Sequence, residues 1–166
     1  MLPGGSMQRK EQGFTLIELI VTIAVLAIVA SIAAPSFINT LASQNLNGAS
    51  NEIASALGEG RSRAMVISNT VVVCPDKDSV GAEVTETICV NKLLSSANPS
   101  QFINQNRVIL VSIPKKVEIK STNYGVVFNA NGTTPSVTSI EICSGNISKI
   151  ISVALIGSLS QTKGTC

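Results

Sequence analysis

The sequence predicts an α+β protein in which one long N-terminal helix, apolar in its first half and amphipathic in its second, packs on an antiparallel β-sheet or small β-sandwich. Three observations carry that expectation. Residues 14–34 are about twenty apolar positions broken by a single acid, Glu18, and roughly twenty apolar residues of helix cross a bilayer core. From Leu46 onward apolar or small residues recur at Ala49, Ile53, Leu57, Gly60, Ala64 and Ile67, the spacing of three and four that marks one helix face. Beyond Asn69 the pattern changes to short β-branched runs separated by turn signals, which read as strands.

Taken in order, residues 1–13 form a polar leader that carries Arg9 and Lys10 and ends in Gly13. Residues 14–35 are the apolar helix, 36–68 its amphipathic continuation, and 69–166 a β-rich head. Pro35 sits at the join and lacks the N–H of a helical turn, so the helix is expected to bend or loosen there. Gly48, Gly58 and Gly60 each lower helicity by about 1 kcal/mol relative to alanine, so the second half needs tertiary packing. Strands are expected over 70–74, 87–90, 107–113, 117–120, 125–128, 139–143 and 149–155. Residues 129–135, Asn-Ala-Asn-Gly-Thr-Thr-Pro, form a strong turn signal because asparagine and glycine tolerate positive φ. Residues 94–106, rich in Ser, Asn and Gln, read as a mobile surface loop.

Composition narrows the chemistry. A chain of 166 residues makes one soluble domain plus a helix. Aromatic residues are only 3% and Trp is absent, so the core rests on Val, Ile, Leu and Ala, which suit strands. Net charge is +2, of which the leader holds +1, and so small a balance gives no polyanion footprint. Histidine is absent, which removes the commonest general base and metal ligand. Serines are many, but no G-x-S-x-G elbow accompanies them. Asp76, Asp78 and Glu83 share one loop, yet Lys77 stands among them and the ligand order of a calcium loop is missing. The expectation is a protein without enzymatic activity, metal or cofactor.

The four cysteines, Cys74, Cys89, Cys143 and Cys166, all lie in the head, and no C-x-x-C spacing suggests zinc or redox chemistry. In an oxidising compartment they read as structural disulfides. Three connectivities are open. The favoured one joins Cys74 to Cys89, closing a polar loop, and Cys143 to Cys166, tying the last residue to the sheet. Each bond would contribute about 3 kcal/mol through loop-closure entropy.

Gly13 followed by Phe14-Thr15-Leu16-Ile17-Glu18 resembles the class III signal of type IV prepilins and pseudopilins. The basic leader, the glycine, the aromatic residue, the acid at the fifth position after the glycine and the apolar helix stand in one register. An ordinary secretory signal has its cleavage site after a shorter apolar region, whereas here the cut would precede that region and the helix would be kept. The resemblance implies a type IV pilin-like fold, cleavage between Gly13 and Phe14 by the prepilin peptidase, and N-methylation of Phe14. It implies an inner-membrane protein with one pass and a periplasmic head, which later joins a filament of other minor and major pilins. Further along, Tyr124-Gly125-Val126-Val127-Phe128-Asn129-Ala130-Asn131-Gly132, a strand into Cys143 and residues 150–157 resemble the FimT/FimU minor pilins and the H-type pseudopilin of type II secretion. The reading is therefore a minor pilin that initiates or caps a type IV pilus, with roles in twitching motility, adhesion or DNA uptake. The alternatives are the pseudopilin and a DNA-binding competence pilin. In the competence pilins a Gly-Arg-x-Arg motif follows the last strand, but here the matching stretch is Gly157-Ser158-Leu159-Ser160, so nucleic acid is not expected as a partner.

The chemistry of Glu18 follows without any family. A carboxylate in a low-dielectric layer protonates or finds a cation. Cleavage after Gly13 creates an α-amine on Phe14, one helical turn from Glu18, and in a filament the amine of a neighbouring subunit is equally within reach. Ala24, Ala27, Ala30 and Ala33 offer small side chains for close helix approach or simply dissolve in lipid. Lys115, Lys116 and Lys120 form the cluster that could contact DNA, against the alternative of a charged edge that discourages strand addition. Arg61 and Arg63 are expected to complement the C-terminal dipole of the long helix.

Overall fold

The computed structural model describes residues 14–166, except for the side chains of residues 33–36. The leader, including Gly13, and the effect expected of Pro35 lie outside the described residues. The chain forms two compact units, one ending at Ile38 and the other spanning Asn39–Cys166. Helix α1, Leu16–Ile67, contributes to both. Among the described residues no single helix is long and apolar enough to cross a membrane, although Leu16–Ile32 and Phe37–Ile67 reach that length together.

In the second unit the stripe expected of α1 is buried. Leu46, Ala49, Ile53, Leu57 and Ala64 join one apolar cluster, while Ile67 stays exposed. The helix stops because Ser68 takes a left-handed conformation (φ 50°) and the Asn69 N–H returns to the Ala64 carbonyl at 3.1 Å. This closure satisfies one of the last turn's orphan carbonyls.

Strand β1, Val71–Pro75, is buried along its whole length. Its unbroken apolar run is what a strand covered on both faces requires. It pairs antiparallel with β4, Val126–Phe128, with Val71 opposite Phe128. On its other side it pairs with β2, Val108–Val111, in parallel, with Val72 opposite Val108. The sheet β2-β1-β4 is therefore mixed, where a purely antiparallel one was expected.

Parallel neighbours need a crossover of a dozen or more residues, and residues 76–107 supply it. Within them lie α2, Glu86–Leu93, and α3, Pro99–Asn104. Both correct the sequence reading. The strand expected over 87–90 is helical because Thr85 caps the Ile88 N–H, with Glu86 in the first turn and Lys92 in the last. The mobile loop expected over 94–106 holds α3, opened by the Asn98 cap and Pro99, which buries Phe102. A second apolar cluster joins Val72, Cys74 and Val108 to Cys89, Val90 and Phe102, so the crossover covers one face of the mixed sheet. The Cys74–Cys89 disulfide links β1 directly to α2.

The other sheet is antiparallel throughout, in the order β3-β5-β6-β7. It comprises β3, Glu118–Ile119; β5, Thr138–Ser144; β6, Ile147–Val153; and β7, Leu159–Thr165. Strand β7 was not expected from the sequence. Ile119, Ile140, Ile142, Ile151 and Val153 enter the same cluster as the α1 stripe. Each fully buried Ile or Leu contributes about 1.5–3 kcal/mol. The Cys143–Cys166 disulfide fastens the residue after β7 to β5.

Two glycines of α1 have opposite surroundings. Around Gly58 the space is open, whereas a Cβ at Gly60 would run into Val73 Cγ2 and approach Phe128 to 3.4 Å. Gly58→Ala should therefore stabilise the full chain by about 1 kcal/mol. Gly60→Ala should destabilise it by about 1–3 kcal/mol through overpacking. Chemical denaturation of both variants checks the pair, and equal stabilisation by both would show that helix and sheet do not approach closely at Gly60.

Candidate functional site

The N-terminus of α1 is built from Phe14, Thr15 and Glu18. The Thr15 hydroxyl accepts the Glu18 N–H at 3.3 Å, and the Leu19 N–H reaches the Thr15 carbonyl at 3.2 Å. Thr15-Leu16-Ile17-Glu18 thus has the sequence form of a capping box, with the threonine cap formed. An acid in the first turn is favoured by the helix dipole, so Glu18 has a local role beside any intermolecular one.

Downstream, the described large apolar side chains up to Ile32 are exposed within the first unit. Phe14 is 84% exposed, Ile23 56% and Ile32 75%. Its hydroxyls are satisfied locally, since Thr22 donates to the Leu19 carbonyl at 2.8 Å and Ser31 to the Ile28 carbonyl at 2.7 Å. A helix with its backbone and hydroxyl groups paired internally suits surroundings that offer no hydrogen bonds.

The three lysines of the expected cluster flank β3. Lys115 and Lys116 sit in the turn before β3 and Lys120 follows it. Lys115 lines a cavity of about 340 Å³ with Lys77, Asp78 and Val80. Lys116 and Lys120 line a different one, of about 260 Å³, beside Cys143 and Cys166. Lys120 pairs with Glu118 at 2.7 Å, and this neighbour holds the Glu118 carboxyl below its ordinary range. One of the three charges is thus already met.

The acidic loop is organised by its own backbone. Asp76 accepts the Ile113 N–H and the Ser112 hydroxyl, both at 3.0 Å, while Asp78 accepts the Val80 and Ala82 N–H groups. Lys77 donates to the Pro114 and Val117 carbonyls. Among the described residues no group of three potential metal ligands converges.

Arg61 and Arg63 lie before the last turn of α1, which contains no basic residue, so the expected dipole role gives way to loop fastening. Arg61 Nε donates to the Gly132 carbonyl at 3.2 Å; Arg63 donates to the Asn106 carbonyl at 2.8 Å and pairs with Glu59. Gly132 (φ 76°) serves the turn expected over 129–135, in which the Asn129 N–H meets the Thr133 carbonyl. The stretch from Gly157 does not follow the last strand. Gly157 (φ 76°) closes a turn in which its N–H reaches the Ala154 carbonyl, and Leu159 and Ser160 begin β7.

Sequence reading also missed Arg107. It is buried, stacks 3.8 Å from the centre of the Phe102 ring, and donates from Nε to the Thr70 carbonyl at 2.6 Å. Burial lowers its pKa from the ordinary value, while arginine keeps its charge. It binds the end of the crossover to the start of β1.

The prokaryotic N-terminal methylation motif matches residues 8–34. No curated protein and no solved structure matches the chain. Motif and architecture together are type IV pilin-like: an apolar N-terminal helix bearing one early acid, continued as the spine of a disulfide-bonded α+β head.

Because phosphate contacts supply nearly all nonspecific DNA affinity, the pairing of Lys120 with Glu118 and the lack of arginine in residues 157–160 predict weak or no duplex binding by the full chain at physiological salt. Titration of labelled duplex checks this. Micromolar or tighter binding that weakens with added salt would contradict it.

Proposed function

We propose that this chain is a minor pilin, a structural subunit without enzymatic activity that initiates or caps assembly of a type IV pilus. The observation that supports it most is the apolar half of α1, whose large apolar side chains from Phe14 to Ile32 are exposed within the first unit and which overlaps the methylation motif. In this reading the helix first resides in the bacterial inner membrane with the head in the periplasm. The prepilin peptidase cuts between Gly13 and Phe14, and Phe14 is N-methylated. The helix then leaves lipid for a bundle of other pilins, an exchange of one apolar environment for another.

Glu18 gives that exchange its register. An unpaired carboxylate deep in apolar surroundings costs a few kcal/mol, and the cationic amine of a neighbouring Phe14 offsets this at one axial offset between subunits. The head, held by Cys74–Cys89 and Cys143–Cys166, carries the contacts that select neighbours. A pseudopilin of type II secretion would use the same helix and the same pairing in a shorter filament.

N-terminal sequencing of the protein from a producing cell should find methylated Phe14 as the first residue, and Gly13→Val should leave the precursor uncut. Glu18→Ala should be processed normally yet be lost from purified pili. A mature protein that starts elsewhere would sink the processing claim. Assembly of the Glu18→Ala variant at the normal level would remove the proposed role of the acid. Recovery of the chain in sheared pili, rather than only with a secretion complex, distinguishes pilus from pseudopilus.

A further inference from the structure

Strands β6 and β7 place Lys149 directly opposite Lys163. Like charges at facing positions of an antiparallel pair repel, with Cβ atoms about 5 Å apart. Neither takes part in an ion pair among the described residues, where the two found are Arg63–Glu59 and Lys120–Glu118.

Both lysines lie on the face of the sheet turned toward α1. Lys149 is opposite the fully buried Ile142, and Gln161, two residues before Lys163, accepts a hydrogen bond from Ser50 of α1 at 2.9 Å. Between them and Ser43, Leu46 and Asn47 of α1 lies a cavity of about 160 Å³. At about 30 Å³ per water, that is room for about five waters, or for one tetrahedral anion.

The cavity sits at one particular end of the head. The chain enters this unit at Asn39. Asn39 and Ala42 line a neighbouring cavity with Gly145 and Asn146 of the β5–β6 turn, and Lys149 and Lys163 follow one step further along α1. Residues 19–51 carry no charge at all, so the sheet supplies the cationic side chains here.

We propose that Lys149 and Lys163 form a docking site for the phosphate of an anionic phospholipid. The proposal rests on the membrane residence of α1 described under Proposed function. A lipid phosphate is favoured over a nucleic acid because the site is a single concavity, whereas duplex binding needs several cations along one open surface. It meets both lysines at once and relieves their repulsion. Release of that phosphate then accompanies extraction of the subunit.

The test uses the full processed chain, isotopically labelled, in nanodiscs of phosphatidylcholine alone or mixed with phosphatidylglycerol, each with a trace of headgroup spin-labelled lipid. Relaxation enhancement at the Lys149, Lys163 and Gly164 amides reports docking. It should rise with phosphatidylglycerol and fall about fivefold in docked-to-free ratio for each of Lys149→Gln and Lys163→Gln. A Lys115→Gln/Lys116→Gln control should leave it unchanged, and unaltered Ser50 and Gln161 resonances verify the fold. Equal enhancement in both bilayers, or indifference to the two substitutions, overturns the site while leaving the membrane helix standing. Resonance changes at Lys149 and Lys163 that require an added pilin subunit or DNA overturn it in favour of that partner. A chain that fails to enter nanodiscs brings down the membrane residence of α1 and the lipid site together.

Discussion

The stripe of α1 from Leu46 to Ala64 is the surface on which the rest of the head closes. Two sheets of different topology meet it: the mixed sheet through Val71, Val73 and Phe128, the antiparallel one through Ile140, Ile142 and Ile151. Among the described residues no strand pair joins the two sheets, so helix packing unites them. The absence of a side chain at Gly60 lets Val73 come close. Arg61 and Arg63 then fasten peripheral loops to the same helix through carbonyl contacts. The disulfides act further out, one on the crossover and one on the last strand.

The same helix meets a different constraint in its first half. There the side chains are exposed and apolar, and the hydroxyls turn back on the helix's own carbonyls. Such a surface in water would be costly, at about 25 cal/mol per Å² of apolar area. Lipid and a bundle of other helices both remove that cost, which makes transfer between them feasible. The acid at Glu18 is the departure from uniform apolarity, and it sits in the first turn of α1, where the helix dipole favours a carboxylate.

Much of this was legible in the sequence, and the misreadings have physical causes. The α1 stripe was visible because a half-buried helix imposes its period on the residues. Strand β1 was visible because burial on both faces demands a continuous apolar run. The segment Thr87-Ile88-Cys89-Val90 misled because four apolar or β-branched residues fit a strand and a short helix equally; the Thr85 cap decided between them. Helix α3 was hidden by polar composition, with Phe102 its one buried residue. Strand β7 has no buried position along its length, so nothing in its pattern announced it, and its ladder with β6 reveals it instead. At the candidate site, the motif around Glu18 was plain, while the stacking of Arg107 on Phe102 depended on how the crossover folds. The opposition of Lys149 and Lys163 could be seen only once β7 was placed.

In the proposed function the first half of α1 is covered by lipid before it is covered by other pilins. A spin label introduced at Val25 of the full chain in lipid bilayers tests it through collision with oxygen, which dissolves in lipid, and with a water-soluble nickel complex. Strong oxygen collision and little nickel collision are expected, as for a site within the hydrocarbon layer. Shielding from both reagents would mean that the chain covers this helix itself, and strong nickel collision would mean that it lies in water; either result contradicts the account.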